Sequence, residues 1–96
     1  MPRRLASALV LAMMPAAAFA QDAPPGASSC SGCHAPSAAP GSPVPAINGR
    51  PAAETARAMR DFSSGARPAT VMGRIARGFS DPEIDAIAQW LAKQKR

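Results

Sequence analysis

Apolar residues recur with helical spacing in two stretches of this 96-residue chain. In the later one, Ile84, Ile87, Ala88 and Leu91 follow the i, i+3, i+4, i+7 rule that gathers a stripe on one helix face. Ser80 and Glu83 have capping-box spacing ahead of it, and Asp81-Pro82 also suits a helix start. Lys93, Lys95 and Arg96 follow, where cations complement the helix dipole. The other stretch begins at Ala52. Thr55, Ala58, Met59 and Phe62 share one face and Arg57, Arg60 and Asp61 the opposite one, which predicts a short amphipathic helix with Gly65 as a left-handed cap. Between the two, residues 69–79 predict a short helical turn ended at Gly78. No segment alternates as a strand does, so the predicted fold class is all-α.

The other segments punctuate this pattern. Residues 35–51 hold Pro36, Pro40, Pro43, Pro45 and Pro51 with Gly41 and Gly49, and read as an ordered or extended loop. Residues 21–26 are rich in Ala, Pro and Gly and read as a flexible lead-in, with helix starting near residues 27–29. The opening Met1-Pro2-Arg3-Arg4, the apolar run from Leu5 to Phe19 and the close on Ala18-Phe19-Ala20 form a secretory signal pattern over residues 1–20. That run falls short of the ~20 apolar residues of a comfortable membrane span. The expected product is an exported domain over residues 27–96, located in the periplasm; an uncleaved anchor is the alternative.

Removing residues 1–20 takes away Arg3 and Arg4, so the formal charge falls from +5 to +3. No basic strip interleaved with aromatics suggests nucleic acid. A domain of this size usually needs a staple such as a disulfide or a metal.

The candidate chemistry is concentrated in Cys30-Ser31-Gly32-Cys33-His34. C-x-x-C-H is the attachment signature of a c-type haem: each thiol forms a thioether to a vinyl group, and the next imidazole reaches one face of the iron. The chain has two cysteines and one histidine, and all three lie here. A thioredoxin-like dithiol would need a βαβ context that is missing, and a zinc site would need more ligands than His34 adds. A structural disulfide in an exported protein is the main rival. One covalent haem c would also supply a large apolar core. Bis-His ligation within the chain is excluded, so a sixth ligand would come from Met59 or Met72, and either could instead be core filling.

From residue 27 to residue 94 the chain resembles the class I c-type cytochromes. Their pattern is C-x-x-C-H, a Pro-x-aliphatic-x-Gly loop, a middle helix, a Met loop and a last helix with a bulky aromatic. Pro45-Ala46-Ile47-Asn48-Gly49 matches the loop. The resemblance implies a small all-α fold wrapped around one covalently bound haem. It implies attachment at Cys30 and Cys33, iron ligation by His34 and Met72, a Pro45 carbonyl that orients His34, and Ile47 and Trp90 in the haem pocket. The run Arg67-Pro68-Ala69-Thr70-Val71-Met72, the turn Arg74-Ile75-Ala76-Arg77-Gly78-Phe79 and the following Ser80-Asp81 are similar to the cytochrome subunits of flavocytochrome c sulfide dehydrogenases. Only about nine residues separate the leader from Cys30, among them Pro24 and Pro25, so how the first helix meets the last stays open.

The resemblance implies a periplasmic electron carrier that is not itself an enzyme, docked on a larger redox protein. A flavoprotein subunit that oxidises sulfide is the first expectation and a sulfite dehydrogenase the second. A free soluble carrier and a haem-based small-ligand sensor are the alternatives. Arg50 and Arg67, each in a loop beside a matching motif, are candidates to meet the haem propionates. No nucleic acid and no membrane span after signal cleavage are expected.

Overall fold

The computed structural model describes residues 22–96, and the predicted signal segment 1–20 lies outside them. Among the described residues there are four helices and no strand: α1 (Ala27–Cys30), α2 (Ala52–Ser64), α3 (Met72–Ala76) and α4 (Asp81–Ala92). α2 packs against both α3 and α4, and α1 packs against α4. None of these helices is long and apolar enough to cross a membrane.

The last helix is the axis of the packing. Ile84, Ile87, Ala88 and Leu91 are all buried, as their spacing requires. They divide between two clusters. Ile87 and Leu91 meet Ala27 of α1, with Ala23, Cys30, Ile47, Phe79 and Trp90 packed around them. Ile84 and Ala88 meet Ala56 of α2, with Ala52, Met59 and Phe79 around them. Phe79 touches both clusters and so joins the two halves.

α4 starts as its sequence predicts. Ser80 Oγ accepts from the Glu83 amide, and the Glu83 carboxylate accepts from the Ser80 amide at 3.1 Å and the Ser80 hydroxyl at 2.7 Å. Those bonds hold the Glu83 carboxyl below its ordinary range. Because the folded-state pKa is depressed, the stability it contributes is present above the ordinary glutamate range and is lost as pH falls through the depressed value. Ser80→Ala should destabilise by about 1 kcal/mol. Glu83→Gln keeps an acceptor but cannot titrate. Its melting temperature should therefore converge on that of the wild type as the solution is acidified below about pH 4, as thermal melts across pH would show.

α2 ends on Gly65 at φ +82°, the left-handed cap its position suggests. On its polar face, Arg60 donates to Asp81 at 3.1 Å and to Asp85 at 2.8 Å, so this side chain clamps α2 to the first turns of α4. The fully buried position of α2 is Ala56, beside the predicted apolar stripe of Thr55, Ala58, Met59 and Phe62, which is partly buried.

The lead-in is docked on the core. Ala23 packs on the α1–α4 cluster, and the Pro24 carbonyl accepts from the Ala27 amide at 3.0 Å. Gly26 sits at φ +85°, and a Cβ there would lie 2.7 Å from the Phe79 ring. A bare glycine lets Phe79 cover the start of α1. One turn of helix, rather than a long one, thereby achieves the meeting of first and last helices.

Candidate functional site

Residues 30–34 form a tight helical turn after α1. The His34 amide donates to the Cys30 carbonyl at 2.8 Å and the Cys33 amide to the same oxygen at 3.2 Å. The turn is anchored at one end: Cys30 is half-buried against Ala27, Ile87 and Leu91, whereas Cys33 is exposed. Both cysteines are free, not joined as a disulfide. Burial pushes the Cys30 thiol above its ordinary pKa. A redox-active C-x-x-C needs the opposite, a stabilised thiolate, so the environment does not suit dithiol exchange. Among the described residues no three His, Cys, Asp or Glu side chains converge as a protein-built metal cluster requires.

The decisive contact is that of His34. Its Nδ1 lies 2.7 Å from the Pro45 carbonyl oxygen. A carbonyl only accepts, so Nδ1 carries the proton and donates it. In the neutral imidazole this leaves the Nε2 lone pair available to a metal. The hydrogen bond also fixes the ring plane and raises the basicity of Nε2. Pro45 can be held there because proline restricts the backbone of the 35–51 loop and the loop's next apolar residue, Ile47, packs on the same cluster as Cys30. Arg50 braces the loop by donating from Nε to the Ala46 carbonyl at 3.1 Å, and its Nη1 pairs with Glu54 at 3.1 Å.

The protein core beside this site is thin. Among the described residues, four of the seven buried hydrophobic residues are alanines, and Leu91 is the one large side chain fully out of solvent. A domain this small with so little buried side-chain volume is suited to an added apolar group. Two free thiols at the attachment spacing, a histidine with a directed Nε2 and this sparse core together fit a covalently attached haem.

The two methionines part company. Met59 packs on the Ala56–Ile84–Ala88 cluster, where it is core filling. Met72 is the first residue of α3, half-buried, and belongs to neither cluster. Its neighbours Val71 and Ile75 are 56% and 43% exposed, which leaves an apolar surface around it. Trp90 packs on the α1–α4 cluster and borders a surface cleft with Asp22 and Pro24, so its contacts are with the lead-in side of the last helix. Arg67 lies over the Phe62 ring at 4.9 Å. Both arginines considered for propionates thus have protein partners.

No family model matches the chain. The cytochrome subunit of sulfide dehydrogenase from Chlorobaculum tepidum is 40% identical over 62 residues, which is 65% of this chain and 56% of that protein. This chain resembles that cytochrome subunit. It spans little more than half the length of this curated relative. Among the described residues, the four-helix, strand-free architecture is consistent with the small cytochrome c fold that the resemblance implies.

Features that sequence reasoning missed are the Arg60 clamp, the Gly26–Phe79 contact and the anchoring of Asn48. Each joins residues distant along the chain, and no local signal marks the pairing. Arg60 carried only its charge as a hint, with Asp81 and Asp85 spaced one helical turn apart.

Proposed function

We propose that this chain is a periplasmic, single-haem c-type cytochrome that transfers electrons as the cytochrome subunit of a sulfide-oxidising flavocytochrome c. The observation that carries this reading is the His34–Pro45 hydrogen bond beside two free cysteines, because it presents a directed Nε2 at attachment spacing. The curated relative's name, a subunit of sulfide dehydrogenase, supports the choice of partner.

Cys30 and Cys33 would hold the group covalently, His34 would supply a nitrogen ligand and Met72 a thioether sulfur. Haem bound there supplies one-electron cycling between ferrous and ferric iron, with Met/His ligation favouring a raised potential. The Pro45 carbonyl keeps His34 in one tautomer and one orientation. The α1–α4 cluster would keep water from the Cys30 side of the bound group, and the exposed Cys33 would leave the other side open to a partner. No enzyme activity is assigned to this chain; the chemistry on sulfide belongs to the flavoprotein.

Val71 and Ile75, exposed on either side of Met72, favour docking by apolar contact. A stable complex should bury about 1,200 Å² or more and resist salt. Gel filtration of native periplasmic extract should therefore show haem and flavin absorbance co-eluting above the mass of the monomer at both low and high salt. Elution of all the haem at monomer mass under both conditions would overturn the subunit assignment and leave a free carrier.

A further inference from the structure

The loop that presents Pro45 to His34 is tied to the residues after α4. Asn48 Nδ2 donates to the Lys95 carbonyl at 3.2 Å, and Arg96 Nε donates back to the Asn48 carbonyl at 3.3 Å. The next residue, Gly49, donates its amide to the Leu91 carbonyl at 2.9 Å. Gly49 sits at φ +72°, and a Cβ there would be 3.3 Å from the Gln94 carbonyl, so the two segments lie close together. Asn48 is 8% exposed and is the buried polar residue among the described residues. An amide in that position costs desolvation that an apolar residue would avoid, and it fixes one pairing where a slip would leave it unsatisfied. Ile47 and Arg50 also hold the loop, but packing of Ile47 tolerates small sliding, and Arg50 bonds to Ala46 within the loop and to Glu54 of α2, not to α4. The register of residues 45–49 against α4 is set by the bonds of Asn48 and Gly49.

We propose that Asn48 is a positioning residue for the proximal imidazole: by pinning the loop to residues 95 and 96, it holds the Pro45 carbonyl against His34 Nδ1. This rests on the haem-ligand role of His34 given above. A strong Nδ1–H···O=C bond makes the imidazole a better donor and favours ferric iron. A slackened loop weakens the bond and favours ferrous iron.

The test uses the haem-loaded protein and neutral substitutions, so that no change of charge enters. Asn48→Ala should raise the midpoint potential and make the His34 Nδ1 proton exchange with solvent about tenfold faster in the reduced protein, read by NMR. Ile84→Val, in the cluster away from the loop, should lower the melting temperature without moving either readout. Arg96→Lys keeps the charge, lies on the surface and replaces the fixed guanidinium Nε of the second bond by a flexible ammonium. It should shift both readouts in the same direction by a smaller amount, and it supplies the test if Asn48→Ala does not fold. Haem-loaded variants whose potential and proton exchange match the wild type would overturn the positioning role and leave the electron-carrier reading intact. Wild-type protein maturing without covalent haem would overturn both.

Discussion

Replacing both Cys30 and Cys33 by alanine is expected to leave all of the haem extractable into acid acetone, whereas the wild type should retain it. The expectation follows from bond type. Two thioethers survive denaturation; a lone His34–iron bond does not survive acid, which protonates the imidazole. Either single replacement leaves one thioether, so haem should be retained in part. Folding should suffer as well. Among the described residues Leu91 is the one large side chain fully buried, and the remaining core is mostly alanine, so loss of the group removes the main apolar mass of the domain. The double variant should therefore lose helical circular dichroism at temperatures where the wild type is folded. A wild type that yields its haem to acid acetone, or matures at a mass without haem, would refute the attachment.

Met72→Ala should abolish the long-wavelength absorption band of sulfur bound to ferric iron and open the reduced iron to carbon monoxide. Met59→Leu should leave both unchanged and cost under about 1.5 kcal/mol, as a volume-conserving core swap. The contrast rests on placement. Met59 packs against Ala56, Ile84 and Ala88, and withdrawing it would uncover one side of that cluster. Met72 opens a five-residue helix, outside both clusters, with exposed Val71 and Ile75 around it. Its sulfur is the one not committed to the core. Rapid carbon monoxide binding by the wild type, without the sulfur band, would instead support the small-ligand sensor. The opposite pattern in the two variants would move the ligand to Met59.

The chain's own order of residues determined a good deal. The stripe Ile84, Ile87, Ala88 and Leu91, the Ser80–Glu83 box and the Gly65 cap are local, decided within one or two helical turns, and each stands in the structure where its spacing places it. The same holds for the all-α class and for the Cys30-Ser31-Gly32-Cys33-His34 turn, whose backbone bonds span four residues at most. Periodicity and capping are short-range physics, and one strand of sequence contains all of it. What only the tertiary structure decided are pairings across long stretches of chain. The Pro45 carbonyl was implied by resemblance, but the structure put it 2.7 Å from His34. It also separated Met59 from Met72, seated the proline-rich lead-in on Phe79 through Gly26, turned Arg60 from a surface charge into a clamp, and joined Asn48 to Lys95 across 47 residues. A buried amide or a bare glycine carries no mark of its distant partner in its own neighbourhood. The partner is selected when α4 folds back between α1 and α2 and the segments on either side must satisfy their hydrogen bonds against it.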